Sequence, residues 1–82
     1  MNIYVGNLNH KTTEKQLNDL FAPFGSIISS KIITKEHSGA SRGYGFIEMP
    51  EQGEAEGAIA GLNGFDFDGQ PIIVNKAKQN NA

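Results

Sequence analysis

The chain has 82 residues, with seven Lys and Arg against nine Asp and Glu, a formal net charge of −2 and no cysteine. That length supports one domain around a single small core, and the missing cysteines exclude disulfides and thiolate metal sites. "MNIYVGNLNHKTTEK" lacks the basic-then-apolar order of a secretory signal and no apolar run reaches membrane-spanning length, so a soluble intracellular chain is expected, cytoplasmic or, in a eukaryote, organellar or nuclear, with no membrane partner.

In chain order, "NIYVGNL" is a β-rich run closing on a Gly-Asn turn signal and predicts a strand over Asn2 to Gly6. Thr13 and Gln16 have capping-box spacing. Leu17, Leu20, Phe21 and Phe24 follow at i, i+3, i+4, i+7, a helical stripe that Pro23 and Gly25 end near Phe24. "SIISSKIITK" predicts a second strand from about Ile27 to Thr34, "KEHSGAS" a polar loop turning at Gly39, and "GYGFIEM" a third strand. Pro50 and the acidic "EQGEAEGAIAGL" open a second helix, its acids in the first turn where the helix dipole favours them and Ala55, Ala58, Ile59 and Leu62 facing inward. "NGFDFDGQP" is rich in turn residues, with room for a short hairpin around Phe67, before a last strand in "IIVNKA". The domain is assigned to residues 1–78 and a short flexible tail to 79–82. The order β-α-β-β-α-β is an α+β, ferredoxin-like arrangement, a four-stranded antiparallel sheet with both helices on one face.

Side-chain alternation divides the strands between the two faces. Aliphatic Ile3, Val5, Ile27, Ile32, Ile47, Met49, Ile72 and Val74 suit the helix side. Gly43 and Gly45 share it, where missing side chains would let a helix approach the sheet. The water side then carries Asn2, Tyr4 and Gly6; Lys31 and Ile33; Arg42, Tyr44, Phe46 and Glu48; and Ile73, Asn75 and Ala77. Three aromatic rings, Tyr4, Tyr44 and Phe46, are thus expected together in water, the mark of an interaction surface. Lys31, Lys35, Arg42, Lys76 and Lys78 edge it, while Glu14, Asp19, Glu51, Glu54, Glu56, Asp66 and Asp68 fall elsewhere. Only Glu48 intrudes. Flat rings beside cations suit single-stranded nucleic acid, because a base–aromatic stack contributes about 1–3 kcal/mol and paired bases cannot offer that face.

"RGYGFIEM" resembles the RNP1 octamer of the RNA recognition motif (RRM), K/R-G-F/Y-G/A-F-V-x-F/Y, and "IYVGNL" resembles its RNP2 hexamer. Arg42 through Phe46 fit fully, Ile47 replaces Val, and Met49 replaces the final aromatic at a core-facing position. The likeness covers nearly the whole chain, including "SGASRG" and "LNG", and the bare one-domain layout is similar to that of small single-RRM proteins of bacteria and organelles. It implies a base stacked on each of Tyr4 and Phe46, sugars against Tyr44, and a phosphate at Arg42. Asn75, Lys76, Ala77 and Lys78 would contact a base or the backbone, and Asn2, Lys31 and Glu48 complete the face. Ala40 and Gln70 stand where relatives often carry a basic residue, so phosphate attraction should be weaker than usual, with a log–log salt slope of roughly −2 to −3.

The implied function is single-stranded RNA binding, with single-stranded DNA a weaker candidate, by a monomer acting as an RNA chaperone or post-transcriptional regulator. The alternative is an RRM that binds a peptide or partner helix. No enzyme is expected. An acylphosphatase-like site would need an Arg-bearing loop after the first strand, and "GNLNHKTT" has none. His10 and His37 lack a partner at metal spacing, no acid orients His37 toward Ser38 or Ser41, and "GYGF" is not followed by Lys-Ser/Thr. No metal, cofactor or small-molecule substrate is therefore expected. Gly53, Gly57 and Gly61 recur along the second helix opposite its apolar stripe and so face water; a tolerated weak helix is the simpler reading, and a flat backbone groove for a partner helix is the alternative.

Overall fold

In the computed structural model, which describes residues 1–34 and 41–77 and only the backbone of Ser41 and Arg42, the chain begins with strand β1, Asn2–Gly6. The expected loop at Gly39 and the tail lie outside the described residues, as do Lys35, Ala40 and Lys78. Helix α1, Glu14–Phe21, starts where the capping box requires. The Gln16 N–H donates to Thr13 Oγ1 at 3.1 Å and the Thr13 N–H donates to Gln16 Oε1 at 2.9 Å, which satisfies two donors that a helix start leaves unpaired. The helix does not run on to Phe24. Pro23 has no N–H to continue the ladder, and Ala22–Phe24 tighten into a single 3₁₀ turn.

Strand β2 is Ser29–Thr34, two residues shorter at its start than expected. Just before it, the Ile28 N–H still donates to the Glu48 carbonyl of the third strand at 2.8 Å, while the Ser26 N–H donates to Glu54 Oε1 of the second helix at 3.3 Å and Ile27 is only partly buried. Strand β3 covers Ser41–Glu48 and helix α2 covers Gln52–Leu62. The turn-rich stretch forms a small separate hairpin, β4 Asp66–Phe67 and β5 Gln70–Pro71. The last strand, β6, is Ile73–Lys76. Ile72 stays outside it because its N–H donates to the Phe65 carbonyl at 2.9 Å and its carbonyl accepts from the Gly64 N–H at 2.8 Å.

The four long strands form one antiparallel sheet in the order β2-β3-β1-β6. Ile3, Val5, Ile32, Ile47 and Val74 point to one side of it and pack under Leu17 and Phe21 of α1 and Ala55, Ala58 and Leu62 of α2, with Leu8, Met49 and Ile72 completing the core. Neither helix is long and apolar enough to cross a membrane. On each sheet edge a side chain takes one outward N–H. The Ile32 N–H of β2 donates to Glu14 Oε2 at 3.0 Å, and the Val74 N–H of β6 donates to Asn63 Oδ1 at 3.1 Å. Unpaired edge donors template strand addition, and both of these are occupied.

The two glycines of β3 serve a different purpose from the one expected. Ile32 pairs with Gly45 but Thr34 pairs with Ser41, so β3 holds a bulge, and Gly43 adopts the φ of +84° that it needs. The Gly43 carbonyl leaves the ladder to accept from the Leu8 N–H at 2.8 Å. A side chain at Gly45 would strike the Lys31 carbonyl of β2, so the close approach there is strand to strand, not helix to sheet.

Candidate nucleic-acid interface

The side of the sheet away from the helices is organised in rows by strand register. Phe46 of β3 lies opposite both Lys31 of β2 and Tyr4 of β1, and Tyr4 lies opposite Asn75 of β6. Lys31, Phe46, Tyr4 and Asn75 therefore cross the whole sheet at adjacent-strand spacings of about 5 Å. Glu48 lies opposite both Ser29 and Asn2, giving a second row two residues along each strand. Gly6 lies opposite Ile73 on the other flank, on the same side as Tyr44.

Tyr4, Tyr44 and Phe46 meet as a triangle. Their ring centroids are 5.9 Å apart for Tyr4–Tyr44, 5.9 Å for Tyr4–Phe46 and 6.2 Å for Tyr44–Phe46, with interplanar angles of 32°, 64° and 88°. These are favourable tilted and edge-to-face contacts, which fix the rings relative to each other while each stays half-exposed. Tyr4 also lies down along its strand. The outer end of its ring covers Gly6, which is buried for that reason although it belongs to the open face. A flat ring anchored from below leaves its upper face to water.

The cations expected around this surface are placed unequally. Lys31 and Asn75 are exposed within the aromatic row, and Ala77, whose N–H donates to the Asn2 carbonyl at 2.9 Å, sits beside Asn2. Lys76 pairs with Ile3, so alternation directs it to the helix side of the edge strand and not to the face that Asn75 shares with Tyr4. The Arg42 side chain and Lys78 lie outside the described residues. Among the described residues, the ion pair present is Lys15–Asp19 at 3.7 Å on α1, remote from the rings.

One end of the face is walled by a network that sequence reasoning missed. Asn7 Nδ2 donates to the Pro71 carbonyl at 2.8 Å, and Gln70 Nε2 donates back to the Asn7 carbonyl at 3.0 Å. Asn9 Nδ2 donates to the Asp68 carbonyl at 3.1 Å, and the buried Thr12 donates through Oγ1 to Asp68 Oδ2 at 2.8 Å. The β4–β5 hairpin is thereby fastened to the β1–α1 loop. Gln70 is more than a missing positive charge, since it locks Asn7. The available signal was the pairing of Asn and Asp residues in both segments, which tolerate the left-handed backbone seen at Asn7 (φ 56°) and Asp68 (φ 52°).

The model of the RNA recognition motif family matches residues 3–73. The chain belongs to the RNA recognition motif family. Among its relatives, a putative RNA-binding protein RbpB of Nostoc is 42% identical over 78 residues, covering 95% of this RRM chain and 76% of that protein. A crystal structure of RNA-binding protein PG1 superposes with a TM-score of 0.95 at 40% identity, covering 100% of this chain and 99% of that one. A Sex-lethal protein–RNA complex superposes with a TM-score of 0.87 at 36% identity, covering 93% of this RRM but only 47% of the Sex-lethal chain.

Proposed function

We propose that this RRM is a non-catalytic module that binds about two to four nucleotides of single-stranded RNA on its open sheet face. Tyr4 and Phe46 each support one base, Tyr44 packs against the sugars between them, and Lys31 and Arg42 attract the phosphates. Asn75 and Ala77 contact a base or the backbone at the β6 end, joined by Lys78. The observation that carries this reading is the row Lys31–Phe46–Tyr4–Asn75, with two rings at its centre, a cation at one end and an amide at the other. The RNA-binding names of its relatives and the RNA present in the Sex-lethal complex support the ligand class. A short, stacking-dominated footprint gives micromolar affinity, suited to a monomeric RNA chaperone or post-transcriptional regulator.

An amide-resolved NMR titration with a randomised pool of short RNAs at low salt tests it. Shifts are expected at Tyr4, Lys31, residues 42–48 and residues 75–78, with Phe46→Ala weakening binding at least fivefold, the loss of about 1 kcal/mol or more of stacking. Shifts confined to α2, or affinity indifferent to Phe46→Ala, would sink the RNA reading and favour a protein partner.

A further inference from the structure

Among the described residues, Glu48 is the one carboxylate on the open face, which the reading above assigns to a polyanion. It sits on the open face two residues beyond Phe46, flanked by Asn2 on β1 and Ser29 on β2. It is partly exposed, and its carboxylate has no hydrogen bond or ion pair among the described residues. Lys31 belongs to the next row and does not pair with it, and the N-terminal ammonium beside this row donates to the Met49 carbonyl at 2.7 Å. A free acid here repels phosphate, so the RNA backbone passes elsewhere and a different part of the nucleotide meets this row.

Residues two apart on one strand stand about 7 Å apart, so the rim of a base stacked on Phe46 extends over Glu48. In a single strand that rim includes the Watson–Crick edge. A carboxylate only accepts hydrogen bonds, so the edge above it must donate. Guanine presents two parallel donors there, N1–H and N2–H, with the O6 acceptor beside them. Uracil presents one donor between two carbonyls, which a carboxylate repels. Cytosine and adenine each offer a single exocyclic amine. The row of Asn2 and Glu48 supplies an amide donor next to a double acceptor, the complement of guanine's acceptor–donor–donor order.

Resting on the sheet-face reading above, we infer that Glu48, assisted by Asn2, is a base-selecting residue that makes the Phe46 subsite prefer guanine and reject uracil. Selection of this kind works through an unfavourable contact with the wrong base as much as a favourable one with the right base. The acid lowers affinity for oligouridine and restores it where guanine occupies the subsite.

Fluorescence anisotropy on the full chain would compare a short oligouridine with the same oligomer carrying one central guanine, cytosine or adenine. A bidentate base contact predicts that the guanine oligomer binds about tenfold tighter than oligouridine, with cytosine and adenine between. Glu48→Gln, which keeps the shape and removes the charge, should cut that advantage to about twofold or less while oligouridine binds more tightly than before. Equal affinities across the four oligomers, or a guanine advantage that survives Glu48→Gln, would overturn the inference. If Phe46→Ala still weakens every oligomer in that case, the sheet-face reading stands without base selection. If Phe46→Ala changes nothing, both fall together.

Discussion

Gly6 offers a direct test of whether the Tyr4 ring is a stacking platform or only a neighbour of one. A methyl group there would stand 2.5 Å from Tyr4 Oη and 2.8 and 2.9 Å from two ring carbons. Comfortable carbon contacts begin at about 3.5 Å, so Gly6→Ala must lift the ring by about 0.7 Å. Stability should change little. Restricting the unfolded chain favours Ala by about 0.4–1 kcal/mol, which offsets the cost of moving a half-exposed ring. Binding should change more, because a base on Tyr4 depends on where that ring lies. Losing about 1 kcal/mol of a stack worth about 1–3 kcal/mol weakens Kd roughly fivefold. Anisotropy titration with short RNA reads the affinity, urea denaturation the stability, and the Tyr4 ring resonances report the displacement. In a Tyr4→Ala background the same substitution should have no effect on affinity. Displaced ring resonances with unchanged affinity would refute Tyr4 as a platform, and unmoved resonances would refute its packing over Gly6.

The glycines of α2 should divide by what surrounds them. Gly53 and Gly57 face open space, so Gly53→Ala and Gly57→Ala should each stabilise by about 1 kcal/mol, read as a higher urea midpoint. Gly61→Ala should gain less or lose stability, because its methyl would meet the Phe24 ring at 2.9–3.0 Å. Asn63→Ala leaves the Val74 N–H without its acceptor and should cost about 1–3 kcal/mol by denaturation, with faster exchange of that amide. Phe21→Ala removes a fully buried ring and should cost about 3–5 kcal/mol, a large part of the stability of a domain this small.

A feature of this fold is legible in the sequence to the degree that its cause is local. The capping box at Thr13 and the alternation in β1 and β3 are set by residues within a few positions of each other, and each appears as read. The rings cluster because alternation and strand order together bring Tyr4 beside Phe46. Features decided by distant partners were not legible. Ile72 leaves the last strand to pair with Gly64 and Phe65, and Ser26 turns toward Glu54, neither of which its own neighbours dictate. Gly61 looks water-facing on a helical wheel, yet Phe24 arrives from the 3₁₀ turn to lie against it. Lys76 is expected at the edge of the water-facing surface, but a strand reverses its face at every residue and Lys76, next to Asn75, takes the helix side. The Asn63 of "LNG" carries a sheet-edge hydrogen bond that its motif alone does not disclose.

A net charge of −2 in a module assigned to RNA is less of a conflict than it looks. Glu51, Glu54 and Glu56 begin or lie within α2, Asp19 lies on α1, and Glu14 is committed to the β2 edge. Glu14, hydrogen-bonded to the Ile32 N–H, lies at the sheet edge, whereas a helix layer packed on a sheet puts Asp19 and the α2 acids on the order of 10 Å or more from the open face. Physiological salt screens exposed charges over about 8 Å, so these acids contribute little to the potential a phosphate meets at the rings. Among the described side chains of the open face, Lys31 stands against Glu48. If RNA lies on this face as proposed, one acid beside it outweighs several behind the sheet. Screening thus makes net charge a poor guide to the potential at the open face of this RRM.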